Sequence, residues 1–170
     1  MNNLKGFLVN TKDSYRHKWV DFPISDKEFQ EVLNELDIEG DNYKFTDFYG
    51  LHEISNEKME LDEHSRVDDV NDVASMVDEL ENDDELSKVL AIMEIFECTL
   101  KEAYENKEEY DLYTDIIHSA YDLGYYLINE EGFLDVPESL KNYIDYEAFG
   151  KDILIDVEGG MTDYGFIQKL

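Results

Sequence analysis

Histidine and cysteine are the side chains best suited to metal binding or nucleophilic chemistry, and this sequence has four histidines and one cysteine. No two histidines have the H-x-x-x-H spacing that places a pair of zinc ligands on one helical face. Cys98 lies in an apolar run, which is typical of a small core residue. The G-x-S-x-G, Walker A and G-x-G-x-x-G motifs do not occur. We therefore predict no metal site, no cofactor and no catalytic centre.

One acidic segment partly resembles a calcium-binding loop. Asp37, Glu39 and Asp41 alternate along the chain as the first ligands of a calcium loop do. An EF-hand loop also needs glycine at its sixth position and glutamate at its twelfth, and these are Asn42 and Phe48 here. The segment therefore fails the calcium pattern. Adjacent carboxylates elsewhere carry no catalytic information, because neighbours are expected by chance in a chain with 43 acids.

The total charge is the outlying property of the sequence. Asp and Glu number 43 against 14 Lys and Arg, which gives a formal net charge of −29 in 170 residues. Binding of nucleic acid or anionic lipid requires basic patches and is excluded, whereas a positively charged partner is favoured. The 12 tyrosines and 9 phenylalanines predict a folded core rather than a disordered acidic tail.

The charge is unevenly distributed. Residues 1–25 carry a net +2, residues 26–85 carry −18 and residues 86–170 carry −13. The acidic surface is therefore expected to begin with the first helix. No segment has the features of a signal peptide or the ~18 consecutive apolar residues of a membrane span, so we expect a cytoplasmic protein.

The amino-terminal third predicts a small sheet with one helix. Residues 4–10, 18–22 and 43–48 are typical of strands, with Trp19 expected to be buried in the second. Ser25 and Glu28 form a capping-box pattern. The apolar residues that follow recur at helical spacing, and Gly40 is expected to end the helix.

The middle of the chain, residues 65–105, has helical periodicity throughout. Ser65 is expected to cap a helix with a valine stripe on one side and acids on another. Residues 82–85 (NDDE) break that helix, and a second helix is expected to continue through Leu100.

The last third predicts further helices and a closing hairpin. A helix is expected over residues 107–129, with Tyr110 and Tyr113 inward, and another from Pro137 to Gly150. Residues 153–157 and 164–167 are expected to pair as strands. The fold class is therefore α+β, with an α+β domain at 1–62, a central helical acidic domain at 63–105 and a carboxyl-terminal α+β domain at 106–170.

These helices would present carboxylates at a spacing comparable to that of DNA phosphates. B-DNA carries one charge per about 1.7 Å of axis, and a helix rises about 1.5 Å per residue. Carboxylates held rigidly on several helices can approach that density, and a protein with a basic DNA-binding groove would accept them. The predicted DNA-mimicking acids are Asp68, Asp69, Asp72, Asp78, Glu79, Glu81, Asp83, Asp84, Glu85, Glu102, Glu105, Glu108, Glu109, Asp111, Asp115 and Asp122.

The sequence resembles the ArdA family of antirestriction proteins. The resemblance is strongest at residues 134–140 (LDVPESL) and 142–152 (NYIDYEAFGKD), and residues 19–23 (WVDFP) and 43–48 support it. The segment before the tryptophan, residues 11–16, is shorter than is usual in the family.

The resemblance implies an elongated, curved α+β protein of three small domains that imitates bent B-form DNA. Such proteins occupy the DNA groove of type I restriction–modification enzymes, are usually homodimers, and are carried by plasmids, transposons and phages in bacterial hosts. The family's dimer contact corresponds to residues 136–152. The apolar residues of this segment are the predicted interface: Val136, Leu140, Tyr143, Ile144, Ala148 and Phe149.

Composition alone leaves two other binding functions open. A folded acidic protein is equally suited to inhibiting another nuclease, as an anti-CRISPR protein does, or to acting as a chaperone for basic DNA-binding proteins. All three functions need a rigid, exposed acidic surface, so the resemblance rather than the composition favours antirestriction.

Overall fold

Alternating apolar residues build the first sheet, which we describe from a computed structural model covering residues 4–51, 54–114 and 116–170. Strands β1 (Lys5–Asn10), β2 (His17–Asp21) and β3 (Tyr43–Tyr49) form an antiparallel sheet in the order β2-β1-β3. Helix α1 (Asp26–Glu35) covers one face, where Phe29 stacks edge-on against Tyr43 at 5.4 Å. Every second residue of β1 is buried, which is the expected pattern for a sheet with one covered face.

The remaining elements are mostly helical. Helices α2 (Val67–Asn82), α3 (Leu86–Phe96) and α4 (Leu100–Asn106) occupy the middle of the sequence. Strand β4 (Tyr110–Tyr113), helices α5 (Ala120–Asn129), α6 (Glu138–Lys141) and α7 (Tyr146–Asp156), and strands β5 (Gly159–Thr162) and β6 (Gly165–Lys169) follow. The second sheet is antiparallel in the order β4-β6-β5. The fold is α+β, as predicted.

The chain forms two compact units. One comprises the chain up to Leu86 together with Thr99–Tyr104, and the other comprises Ser87–Cys98 and Glu105–Leu170. The division into three domains at 1–62, 63–105 and 106–170 stays a prediction. No helix among the described residues is long and apolar enough to cross a membrane.

The core of the second unit brings helices and sheet together. Ile117, Leu123 and Phe166 are almost completely buried and are surrounded by partly buried residues of β4, α5, α7 and β5. Helices α5 and α7 approach each other closely at Gly124 and Gly150, where a Cβ atom on either glycine would overlap backbone of the facing helix. Glycine is therefore required at this crossing.

The predicted helix over residues 107–129 is wrong in its first half. Residues Tyr110–Tyr113 form strand β4, which pairs with β6 in a register that joins Tyr110 to Lys169. The helix begins only at Ala120, where the Ser119 side chain accepts a hydrogen bond from the backbone of Asp122. A strand partner more than fifty residues away outweighs local helical periodicity here.

The predicted carboxyl-terminal elements are also corrected. Pro137 precedes the short α6, and a separate helix, α7, runs through Gly150 to Asp156. Residues 153–157 are therefore largely helical rather than a strand. The hairpin exists, but Gly159 and Gly160 lie inside its first strand.

Smaller corrections concern helix ends and one aromatic residue. Helix α1 ends at Glu35, well before Gly40. Arg66, not Ser65, occupies the N-cap position of α2, where its backbone N–H donates to the Asp69 carboxylate. A break after Phe96 places Leu100 in a separate helix. Trp19 lies in β2 as expected, but it is 41% exposed because it points to the uncovered face of the sheet, against Phe7.

The helix crossing gives a stability prediction. We expect Gly150→Ala to lower the free energy of unfolding by at least about 3 kcal/mol, because its Cβ would overlap the carbonyl of Ala120 and no side-chain rotation can relieve that contact. Gly160→Ala is the matched control in the same unit, since its Cβ would meet only the flexible end of Ile95 at 3.0 Å. Urea unfolding measures both. Equal losses in the two variants would contradict the close crossing.

Candidate partner-binding surface

Helix α2 is the most regular acidic element of the first unit. Its first turn is fixed by a hydrogen bond from the backbone N–H of Arg66 to the Asp69 carboxylate, at 2.6 Å. One stripe of the helix is buried, and this stripe turns the acids of the other side toward solvent. The buried residues are Val70, Val73, Ala74, Val77 and Leu80.

The carboxylate density of α2 approaches the charge density of one DNA strand. The helix has 16 residues, six of which are acidic, and contains no lysine or arginine. Sixteen residues span about 24 Å, and one strand of B-DNA carries roughly seven phosphates over that length. The helix alone therefore offers a comparable number of negative charges, although not the geometry of a double helix.

Four acids of α2 remain free of intramolecular neutralisation. Asp68, Asp72 and Glu79 are exposed and Asp78 is half-buried. Within residues 4–51, 54–114 and 116–170, none of the four has a basic side chain within salt-bridge distance. A partner could therefore bind these four carboxylates without first breaking a salt bridge within the described residues.

The loop after α2 adds further acids. Asp83 and Asp84 are exposed, and Glu85, directly before α3, is half-buried, as is Glu81 in the last turn of α2. Asp84 has a φ of 60°, the left-handed conformation that aspartate tolerates better than most residues. Local backbone shape therefore also favours aspartate here.

Three of the predicted acids also fix helix ends. Asp69 caps α2, Asp122 accepts a 2.7 Å hydrogen bond from the Ser119 hydroxyl, and Glu102 accepts one from the backbone N–H of Thr99 at 2.9 Å. The backbone and side-chain hydrogen bonds from Thr99 lower the pKa of Glu102. These carboxylates are held in place by the fold, so their neutralisation would affect structure as well as surface charge.

The predicted acids of the second unit are partly engaged in ion pairs. Glu105, Glu108 and Glu109 are exposed, whereas Asp111 is half-buried. Lysines lie 3.7 Å from Glu108 and 3.5 Å from Glu109. Asp115 lies outside the described residues.

The predicted dimer segment carries unusually exposed apolar side chains. Tyr143 is 85% exposed and Leu140 is 53% exposed, and Ala148 is also at the surface. Val136, Ile144 and Phe149 are half-buried, and Phe149 packs against Phe133.

Sequence reasoning missed several other exposed apolar residues of the second unit, among them one on α5 and one on α7. Tyr121 on α5 is 50% exposed, and Ile155 on α7 is 80% exposed. The i, i+4 pair of Tyr121 and Tyr125 was a signal for the first. Ile155 was obscured by its assignment to a strand.

The model of a family described as "Antirestriction protein (ArdA)" matches residues 13–168, nearly the whole chain. No curated protein matches the sequence.

The cap at Thr99 gives a pH-dependent prediction. Because the pKa of Glu102 is lowered in the folded protein, its contribution to stability is present above the usual pKa of 4.5 and is lost as the pH falls through the lowered value. We expect Glu102→Gln to lower the melting temperature at pH 7 but not near pH 3. Glu105→Gln removes the same charge from the same helix and is the control. A pH-independent difference between the two variants would contradict the capping role.

Proposed function

The chain belongs to the ArdA family of antirestriction proteins, and we propose that it inhibits type I restriction–modification enzymes by occupying their DNA-binding groove as an acidic mimic of DNA. The proposal assigns no chemical step to the protein. Its carboxylates would take the positions of phosphates, and its apolar core would hold them there.

The observation that supports the proposal most strongly is the unneutralised acidic face of α2. Among the residues that the structure describes, Asp68, Asp72, Asp78 and Glu79 have no ion pair, although other acids of the chain pair with basic residues. A surface selected only for solubility would not need to keep these charges unpaired. A surface that binds a basic groove benefits from unpaired acids, because each pre-formed ion pair would have to be broken on binding.

Electrostatic attraction would determine both the association rate and the affinity of binding by this mechanism. A groove lined with Lys and Arg attracts a strongly acidic protein over long distances and speeds association. Salt screens that attraction, so affinity should fall steeply between about 50 and 200 mM salt, as it does for DNA. We place the action in the bacterial cytoplasm, where these enzymes meet incoming DNA.

We also propose that the protein acts as a homodimer joined through residues 136–152. Tyr143 and Leu140 are too exposed to contribute to the core of one protomer, and aromatic residues are favoured in interfaces. A two-fold contact would repeat the acidic surface symmetrically, which suits an enzyme that grips both sides of a recognition site. The apolar contact must outweigh repulsion between two chains of −29 each.

The function is tested by competition with DNA for a purified type I methyltransferase. We expect near-stoichiometric displacement by the wild type and a loss of about 30-fold or more for D68N/D72N/D78N/E79Q, because each exposed charge is worth up to ~1 kcal/mol and four act together. Single changes such as Asp72→Asn or Glu109→Gln should cost less than about fivefold.

The matched control is D21N/D37N/E63Q/E158Q, which removes four acids that already pair with a lysine or an arginine. This control removes the same number of negative charges as the α2 variant, and we expect it to inhibit the enzyme nearly as well as the wild type. Equal losses would show that only net charge matters. Absence of displacement combined with indiscriminate binding of histones would support the chaperone function instead.

The dimer is tested by sedimentation at moderate salt. Tyr143→Asp should weaken self-association by at least tenfold, because it would bury a charge in the contact and because tyrosines are enriched among the hot-spot residues that contribute about 2 kcal/mol or more. Tyr15→Asp, at a residue that is 93% exposed in the other unit, makes the same change and should have no effect. A wild-type protein that is monomeric at micromolar concentration would disprove the dimer.

A further inference from the structure

Strand β2 leaves one edge of the first sheet open. In the order β2-β1-β3 it pairs with β1 alone among the described strands. The carbonyl of Arg16 accepts from Asn10, and the N–H of Phe22 donates to Leu4. Because antiparallel pairing alternates, the residues between them at every second position, His17, Trp19 and Asp21, turn their backbone N–H and C=O groups outward.

A groove of about 420 Å³ lies between this edge and helix α1. Its apolar lining includes Val20, which is buried, and Ile24 and Val32, which are half-buried. Trp19 and Pro23, both exposed, also line it. An extended segment lying against β2 would therefore find both backbone partners and an apolar floor. Strand addition of this kind takes its affinity from main-chain hydrogen bonds and its specificity from alternate side chains.

Three carboxylates line the helical side of the groove. Glu28, Glu31 and Glu35 follow one face of α1, and all are exposed. One lysine, Lys18, reaches across from β2 to Glu35 at 2.6 Å. An exposed pair of this kind contributes at most about 1 kcal/mol, so an incoming cation can replace Lys18 at little cost.

The charges of the groove select its occupant. An acidic segment, including a second copy of this chain, would be repelled by the α1 carboxylates. A lysine or arginine can lay its aliphatic stem over Ile24 and Val32 and place its charge at Glu31 or Glu35. On the opposite face of an added strand, apolar side chains would extend the exposed cluster of Phe7 and Trp19, whose rings lie 5.0 Å apart.

We propose that the groove between β2 and α1 is a second docking site, which accepts by strand addition an extended segment of a partner protein with alternating basic and apolar residues. The site uses none of the acids proposed to mimic DNA. Its test contains no restriction enzyme, so the two proposals stand or fall separately.

The probe is an eight-residue peptide of alternating valine and lysine, titrated into the full-length protein. Trp19 is the single tryptophan of the chain, so its fluorescence reports on this edge. We expect saturable binding of the alternating peptide and at least tenfold weaker binding of a peptide with four lysines followed by four valines. Equal binding of the two peptides would overturn the proposal.

Backbone pairing is tested with two N-methylated peptides. In an alternating peptide the lysine N–H groups lie on one edge of the strand and the valine N–H groups on the other. Methylation of the edge that faces β2 should abolish binding, and methylation of the other edge should not. If both methylated peptides bind, or if neither binds, the proposal of strand addition is overturned.

The carboxylates are tested with two double variants of equal charge. E31Q/E35Q should weaken binding of the alternating peptide about five- to tenfold. E39Q/D41N removes two exposed acids that do not line the groove and should change binding less than twofold. Equal effects would show nonspecific attraction to an acidic protein and would overturn the proposal. Self-association that competes with the peptide would identify a second copy as the occupant and would also overturn it.

Discussion

Repulsion among 43 carboxylates is the constraint that every part of this protein must satisfy. Two exposed charges 5–7 Å apart in water repel by less than about 1 kcal/mol, and salt reduces this further. Burial of one valine or leucine contributes about 1.5–3 kcal/mol. A helix such as α2, with five buried apolar residues, therefore tolerates six acids on its remaining surface. The apolar stripe both stabilises the helix and determines where its charges point.

The placement of the basic residues matters as much as the number of acids. Lys5, Lys18 and Lys44 of the first sheet each pair with a nearby carboxylate. No basic residue occurs in α2. Within the first unit, three counter-charges therefore lie on the sheet, whereas four acids of α2 have no salt bridge among the described residues, so the charge of this unit is unevenly distributed.

Local signals predicted the elements that depend on local interactions. The capping box of Ser25 and Glu28 and the valine stripe of α2 located these helices correctly. The stripe did not separate the exposed acids of α2 from Asp78 and Glu81, which are half-buried. Sequence periodicity failed where a distant partner decides the structure. Strand β4 exists because β6 pairs with it, and α7 continues through Gly150 because a close crossing with α5 requires glycine there. The open edge at β2 could not be predicted, since it depends on strand order.

The two proposed surfaces differ in how strictly they constrain the sequence. On an electrostatic surface many residues each contribute a small part of the binding free energy, and an acid such as Asp72 is replaceable by another acid one turn away. The groove at β2 depends instead on register, because a shift of one residue would turn Val20 outward and exchange the two faces of the strand. Variation is therefore expected to accumulate among the acids of α2 without loss of function, while the strand and its facing helix must change together. The acids that also cap helices, such as Asp69 and Glu102, are less replaceable than the other surface acids. Each must stay at its position because it accepts a hydrogen bond from the backbone at the start of its helix.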